Sequence, residues 1–143
     1  MEKIKALFLD RDGVINYDPG YVYRIEDFEF MPGIFEALAG FMALGYEIFV
    51  VTNQSGIGRG YYSEDDFAKL SKYMIDEFKS YGVEIKKIYH CPHTPSDDCN
   101  CRKPKPGMIL QALDEFNISL KDSLMIGDKP SDLESARRAG VES

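Results

Sequence analysis

Three short apolar runs in this 143-residue chain each end in a polar cluster, and this recurrence most constrains its fold. Each run has the length and composition of a buried strand, and helical patterns separate the runs. Such alternation predicts a mainly parallel α/β sheet with helices on both faces. The polar clusters that follow the runs are residues 10–14, 52–56 and 127–132. Because ligands bind beyond the carboxyl ends of parallel strands, we expect these clusters to meet at one edge of the sheet.

The remaining elements follow the same alternation. Strand-like runs cover residues 4–9, 46–51, 84–89 and 122–126. Helical patterns cover residues 33–44, a long segment from Ser63 to Phe78, residues 106–116 and a last segment from Pro130 that ends before Gly140. No segment is long enough to form a separate cap domain, so we expect one domain over residues 1–143. Its pocket should be covered only by loops, chiefly residues 13–32 and 90–102.

Composition and charge exclude several classes of function. Apolar residues make up 44% of the chain and charged residues 29%, as in ordinary globular proteins. The formal net charge of −7 argues against binding to nucleic acid or to an anionic membrane, since both need a basic surface. No apolar stretch reaches transmembrane length, and the first residues do not form a signal peptide. Three cysteines, an odd number, suit a reducing cytoplasm in which thiolates serve as ligands.

The first polar cluster contains two carboxylates that are two residues apart. Asp10 and Asp12 follow the first apolar run, and Gly13 releases the backbone directly after them. Both carboxylates can therefore face one pocket, which is the arrangement that covalent phosphoryl or acyl chemistry requires. Taken alone, the same residues are equally compatible with a solvent-exposed charged turn.

A second group of residues has the composition of a closed zinc site. Three thiols and one imidazole lie within eleven residues, at Cys91, His93, Cys99 and Cys101. Four protein ligands of this type form a tetrahedral structural site that leaves no position for a catalytic water. The alternatives are that the four residues are unrelated, or that a disulfide forms and leaves one thiol unpaired. Bound zinc would hold Arg102 and Lys103, which follow the last ligand, whereas His90 matches no ligand position and is expected at the surface or beside the ligands.

Together these segments resemble the haloacid dehalogenase-like phosphohydrolases. The resemblance spans essentially the whole chain and is most specific at residues 10–14, 52–60, 91–108 and 127–132. It implies a Rossmann-like fold and a zinc-stabilised loop. It further implies that Asp10 is a nucleophile that forms an aspartyl phosphate and that Asp12 is the general acid/base. Mg²⁺ would be held by Asp10, the main-chain carbonyl of Asp12 and Asp128.

The physical demands of phosphoryl transfer agree with these roles. A phosphate dianion repels a carboxylate nucleophile, so a divalent cation must lie between them, and oxygen ligands suit Mg²⁺. Thr52, Asn53 and neighbouring main-chain N–H groups would donate to the phosphoryl oxygens, and Lys103 would supply a positive charge beside them. Asp132 is open to two interpretations: a helix cap, or a group that orients Lys103 or the metal.

The resemblance also implies a substrate, a small-molecule sugar bisphosphate. In particular, the chain is similar to phosphatases that remove the C7 phosphate of a heptose 1,7-bisphosphate during nucleotide-heptose synthesis, as in lipopolysaccharide formation. The implied sugar-side residues are Asp18, Pro19, Gly20 and Tyr21, and the implied phosphoryl-side residues are Thr52, Asn53, Gln54, Ser55 and Lys103. Arg102 would bind the distal phosphate, because a planar guanidinium can contact two phosphate oxygens at once.

Two other functions are considered. A histidinol-phosphate phosphatase would share the aspartate motif and the zinc loop, but residues 55–60 and 105–108 resemble the sugar-bisphosphate enzymes. A zinc-ordered binding module without catalysis is disfavoured by the acidic net charge and by the presence of the full set Asp10, Asp12, Lys103 and Asp128.

The end of the chain carries one further expectation. Members of the family usually continue past residues 139–141 into another strand, so the sheet edge at residues 122–126 should have an exposed flank or a self-contact. The chain is either short by nature or truncated, and we expect a monomer.

Overall fold

A computed structural model describes residues 3–143, and these contain one sheet of four parallel strands. The strands are β1 (Lys5–Leu9), β2 (Tyr46–Asn53), β3 (Ile85–Cys91) and β4 (Leu124–Ile126). Their order in the sheet is β3-β2-β1-β4, and every neighbouring pair is parallel. The predicted α/β fold is therefore confirmed, with all four carboxyl ends at the same edge.

Helices and loops connect the strands. The helices are α1 (Ile34–Ala43), α2 (Ser55–Gly58), α3 (Glu64–Ser80), α4 (Gly107–Glu115) and α5 (Pro130–Ala139), and Ile25–Asp27 forms a single 3₁₀ turn. Ser63 caps α3: its hydroxyl accepts from the main-chain N–H of Asp66 at 3.1 Å, and the Asp66 carboxylate accepts from the main-chain N–H of Ser63. The sequence pattern did not predict α2, because four residues are too short to show a helical period.

The two faces of the sheet are covered by different helices. Alternate residues of β1 divide between two cores, with Phe8 in one and Leu7 in the other. The first core contains residues of α4 and α5, and the second contains residues of α1 and α3. Because both faces of the sheet are buried, polar side chains on the central strands are confined to the strand ends. The candidate functional residues therefore lie at the carboxyl edge of the sheet.

The fourth strand is shorter than predicted because of the hydrogen bonds that the Ser123 side chain makes. Its hydroxyl accepts a hydrogen bond from the main-chain N–H of Ala6 at 2.9 Å and donates to the carbonyl of Ser119 at 2.6 Å. A side chain thus replaces the main chain in the ladder just before β4 begins. On the outer side of β4, the main-chain N–H of Met125 donates to the carbonyl of Glu142 at 2.8 Å. The segment around Glu142 therefore pairs with part of the sheet edge that was expected to be exposed or to make a self-contact.

The described chain offers nothing that could cross a membrane as a helix. Within residues 3–143, each helix is either too short or too polar to span a bilayer.

Candidate active site

Lys103 lies at the centre of the carboxyl edge, where its ammonium group joins three elements. Nζ donates to Asp10 Oδ1 at 3.0 Å, to Asp132 Oδ1 at 2.5 Å and to the carbonyl of Val51 at 3.0 Å. The residue is only 5% exposed. A buried charge is stable only when it is paired and hydrogen-bonded, and here all three donor positions of the ammonium are used.

Asp10 lies directly after β1, and its two carboxylate oxygens have different surroundings. Its Oδ1 accepts from the main-chain N–H of Arg11 at 2.9 Å and from Lys103, whereas none of the hydrogen bonds found in the described chain falls on Oδ2. Burial raises the pKa of Asp10 to about 6, Lys103 opposes the rise and Asp132 adds to it. The fixed orientation leaves Oδ2 available as a nucleophile or a metal ligand.

Asp12 is surrounded by hydrogen-bond donors. Arg11 donates from Nε to Oδ1 at 3.0 Å and from a terminal nitrogen to Oδ2 at 3.1 Å. Asn16 donates to Oδ1 and Gln54 to Oδ2, each at 3.0 Å. The guanidinium of Arg11 is itself buried, with its centre 5.8 Å from the ring of Phe28. These four hydrogen bonds fix the orientation of the Asp12 carboxylate.

Asp132 performs both of the roles that the sequence left open. Its Oδ2 accepts from the main-chain N–H of Lys129 at 3.1 Å, which caps α5. Its Oδ1 accepts from Lys103, which orients the ammonium. One carboxylate therefore fixes the helix start and the lysine together.

Three carboxylates at this edge could hold a metal ion. Ligand oxygens of Asp10, Asp128 and Asp132 all lie within 4.8 Å of one another. Gly13 permits this approach, because a Cβ added there would lie 2.1 Å from Asp128 Oδ2, and its φ of +91° also disfavours other residues. The donor set is all oxygen, which suits Mg²⁺. Asp128, predicted as a ligand, thus lies beside Asp10.

The site opens into a cavity of about 500 Å³. Its lining includes these residues that were predicted to bind substrate or to act in catalysis: Asp10, Asp12, Asp18, Gly20, Tyr21, Asn53, Gln54, Ser55, Arg102 and Lys103. Pro19 and Thr52 are not part of the lining. The residues that sequence reasoning missed are Tyr62, Pro104, Lys129 and Ser131. Lys129 and Ser131 belong to the third polar cluster and could have been found there, whereas Tyr62 carried no signal.

Thr52 differs from its predicted role as a donor to phosphate. The residue is fully buried, and its hydroxyl donates to the carbonyl of Asn53 at 3.4 Å and accepts from Gln54 Nε2 at 2.9 Å. In this arrangement the hydroxyl supports Gln54, and a direct contact with a phosphoryl group remains a prediction.

The four predicted zinc ligands converge in the loop after β3. Their ligand atoms lie within 4.8 Å of one another: Cys91 Sγ is 3.7 Å from Cys99 Sγ, and His93 Nδ1 is 3.2 Å from Cys101 Sγ. A tetrahedral zinc ion with Zn–S bonds of about 2.3 Å would hold two sulfur atoms about 3.8 Å apart. The residues present therefore fit a zinc ion.

His90 lies outside this cluster. Its Nε2 is 2.7 Å from Glu64 Oε1, and its ring stacks on Phe67 with centroids 4.1 Å apart.

This cysteine-containing loop is connected directly to the active site. Arg102 donates to the carbonyl of His93 at 3.4 Å, and the main-chain N–H of Lys103 donates to Asn53 Oδ1 at 3.1 Å. The loop conformation therefore sets the position of the central lysine relative to β2.

Replacing Lys103 by methionine should destabilise the fold strongly, because two buried carboxylates would lose their shared cation. Breaking a buried ion pair in this way costs about 3–5 kcal/mol. Lys105→Met is the matched control: the Lys105 side chain is 46% exposed, so its loss should cost less than about 1 kcal/mol. Urea unfolding measures both values, and equal small losses would show that Lys103 is not a structural centre.

Comparison with known proteins agrees with this geometry. The model of the haloacid dehalogenase-like hydrolase family matches residues 3–140. A D-glycero-alpha-D-manno-heptose-1,7-bisphosphate 7-phosphatase from Campylobacter jejuni is 57% identical over 139 residues, covering 97% of this chain and 80% of the relative. A D-glycero-beta-D-manno-heptose-1,7-bisphosphate 7-phosphatase from Helicobacter pylori is 52% identical over 143 residues, covering 99% and 83%.

Among solved structures, the D,D-heptose 1,7-bisphosphate phosphatase from B. bronchiseptica, complexed with magnesium and phosphate, superposes with a TM-score of 0.91. It is 32% identical and the match covers 96% of this chain and 78% of that one. With a family match over nearly its whole length and relatives above 50% identity, this chain belongs to the haloacid dehalogenase-like hydrolases.

Proposed function

We propose that this chain is a Mg²⁺-dependent phosphatase that removes the C7 phosphate from D-glycero-D-manno-heptose 1,7-bisphosphate and leaves the 1-phosphate. The observation that carries the proposal is the convergence of Asp10, Asp12, Lys103 and Asp128 at one sheet edge, in a chain that belongs to this hydrolase family. Phosphoryl transfer requires a nucleophile, a proton-transfer group and a fixed cation at one pocket.

In the first step, Oδ2 of Asp10 attacks the C7 phosphorus. The bond between phosphorus and the C7 oxygen breaks, and Asp12, in its protonated form, gives its proton to the leaving alkoxide. Lys103 holds Oδ1 of Asp10, so that the carboxylate cannot rotate away from the phosphorus. The products are the heptose 1-phosphate and an aspartyl phosphate on Asp10.

In the second step, water attacks the phosphorus of the aspartyl phosphate. Asp12 as a carboxylate accepts the proton of this water, the bond between Asp10 and phosphorus breaks, and inorganic phosphate leaves. Four donated hydrogen bonds fix the orientation of the Asp12 carboxylate for this step. Mg²⁺, bound by Asp10, Asp128 and the main chain at Asp12, would neutralise the charge on the transferring phosphoryl group.

The choice of sugar substrate is supported by the named relatives. Enzymes for the alpha and the beta anomer both exceed 50% identity to this chain, so the proposal covers the heptose bisphosphate and leaves its anomer open. The comparisons give no support to a histidinol-phosphate phosphatase. Hydrolase-family membership and the intact set of Asp10, Asp12 and Lys103 also oppose a binding module without catalysis.

The zinc ion is part of the proposal. Cys91, His93, Cys99 and Cys101 would hold it as a closed structural site, and the loop would then present Arg102 and Lys103 to the substrate. We further propose a cytoplasmic monomer with a single domain over residues 1–143, acting on a small phosphosugar with neither nucleic acid nor membrane as partner.

Asp10→Asn should abolish phosphate release from the heptose bisphosphate while the fold persists, because an amide cannot form the aspartyl phosphate. Lys103 would still be paired with Asp132 in this variant. Phosphate release with Mg²⁺, together with circular dichroism, tests this expectation. Substantial turnover by folded Asp10→Asn protein would rule out the covalent mechanism, and faster hydrolysis of histidinol phosphate than of either anomer would overturn the substrate.

Mg²⁺ affinity should decrease as pH falls through about 6. In the metal-free protein the pKa of Asp10 is raised to about 6, so below that pH a proton must leave before the metal binds. The loss should approach tenfold for each pH unit. Calorimetric Mg²⁺ titrations between pH 7.5 and 5 measure it, and Asp10→Asn should show a weaker affinity without this dependence.

The same pKa shift has a consequence for the stability of the metal-free protein. The folded state binds the Asp10 proton more tightly than the unfolded chain, whose pKa is 3.8. The free energy of unfolding should therefore decrease as pH rises from about 4 to 6 through this group.

One zinc ion per chain should survive exhaustive dialysis against Mg²⁺ buffer. Cys101→Ser should lose it and lower activity indirectly, by loosening Arg102 and Lys103. Ser96→Ala is the matched control, since Ser96 lies in the same loop without being a predicted ligand. Elemental analysis reports the metal content, and zinc-free wild-type protein with an ordered loop at residues 90–102 would refute the assignment.

Arg102→Ala should lose more activity toward the bisphosphate than toward a simple monophosphate. The expected difference is about 1–3 kcal/mol, the value of a lost charge-assisted hydrogen bond to the distal phosphate. Arg138→Ala on α5, where Arg138 pairs with Glu134, should change neither rate. Comparison of kcat/KM for the two substrates measures the effect, and equal losses for Arg102→Ala would mean that Arg102 serves the transferring phosphoryl group.

A further inference from the structure

Tyr62 is a buried residue at the cavity that the mechanism above does not use. It is 7% exposed, lies between α2 and α3, and lines the pocket. Its hydroxyl donates to Gln54 Oε1 at 2.5 Å. On its other side, the Gln54 amide donates from Nε2 to Asp12 Oδ2 at 3.0 Å and to Thr52 Oγ1 at 2.9 Å. One glutamine thus connects the tyrosine to the acid/base carboxylate.

The polarity of this chain of hydrogen bonds is fixed at both ends. Asp12 Oδ2 accepts from the guanidinium of Arg11 as well as from Gln54. The Thr52 hydroxyl accepts from Gln54 and donates its own proton to the carbonyl of Asn53. The amide nitrogen of Gln54 must therefore face them, and its oxygen must face Tyr62. Burial raises the pKa of Tyr62 to about 12, so the phenol keeps its proton and remains a donor.

The ring of Tyr62 is also held in place. It stacks on Tyr23 with centroids 5.2 Å apart and planes 8° from parallel. Gly56 makes room for it, because a Cβ added at that position would lie 2.1 Å from a ring carbon. The hydroxyl therefore has one position relative to Gln54, and without it the amide could rotate and present its oxygen to Asp12.

We propose that Tyr62 is a positioning residue, which acts through Gln54 to hold the Asp12 carboxylate in the orientation that the second half of the reaction needs. In that half, the oxygen of water bonds to the phosphorus of the Asp10 aspartyl phosphate, the Asp10–phosphorus bond breaks, and the proton of the water passes to Asp12. This inference rests on the proposed phosphatase function and adds a residue that controls one of its two steps.

The test uses p-nitrophenyl phosphate with Mg²⁺, because nitrophenolate leaves without needing a proton from Asp12. The rate constant for hydrolysis of the aspartyl phosphate is the turnover rate divided by the fraction of phosphorylated protein, which intact-mass spectrometry measures after an acid quench. For Tyr62→Phe, which keeps the stacked ring, this constant should fall about tenfold, part of the 100- to 10,000-fold that a general base contributes. The value of kcat/KM, which reports only the first step, should stay within about twofold.

Two further variants make the test specific. Tyr81→Phe removes the hydroxyl of a tyrosine that is 62% exposed and stacked on Phe35, and it should change neither quantity. Gln54→Met should slow the second step at least as much as Tyr62→Phe. If Tyr62 acts through Gln54, the double variant should be no slower than Gln54→Met alone.

Three outcomes would overturn the inference: an unchanged second step in Tyr62→Phe, equal losses in both steps, or additive losses in the double variant. A Tyr62→Phe protein that melts far below the wild type would shift the decision to Gln54→Met, in which the rate constant for aspartyl-phosphate hydrolysis must then fall by a larger factor than kcat/KM. Absence of any phosphorylated Asp10 in the active wild-type protein would instead remove the covalent function itself, and the inference with it.

Discussion

The buried ammonium of Lys103 is the interaction on which the arrangement of the active site depends. It joins the end of β1, the end of β2 and the start of α5 through Asp10, Val51 and Asp132. Because a buried cation without partners is very unfavourable, the three elements are stable only in the relative positions that supply those oxygens. The same contacts orient the nucleophile Asp10, so one ammonium group both stabilises the fold and positions a reacting side chain.

Much of this organisation could be predicted from the sequence. The apolar runs before Asp10, Thr52 and Gly127 indicated buried strands, and parallel connection places their ends together for topological reasons. The cysteine and histidine spacing indicated a compact cluster before any geometry was known. In each case the signal was local, either a pattern of apolar residues or a set of chemically similar residues close in the chain.

The features that the sequence did not reveal depend on side-chain direction and on partners far apart in the chain. The role of Tyr62 required knowing that Gly56 leaves space for its ring and that Gln54 turns toward it. The inward orientation of Thr52, likewise, is visible only in its burial and in the hydrogen bonds of its hydroxyl to Asn53 and Gln54. A sequence gives the residue types available for such contacts, but their pairing is decided by packing.

The two carboxylates of the first cluster take their support from different parts of the chain. Within residues 3–143, every side chain that donates to Asp12 comes no later than Gln54, and the tyrosine that holds Gln54 is Tyr62. Asp10 takes its side-chain donor from Lys103, which in turn needs Asp132. During synthesis from the amino terminus, the proton-transfer group thus has its partners available long before the nucleophile does. The nascent protein cannot complete its reactive centre until Asp132 has been made.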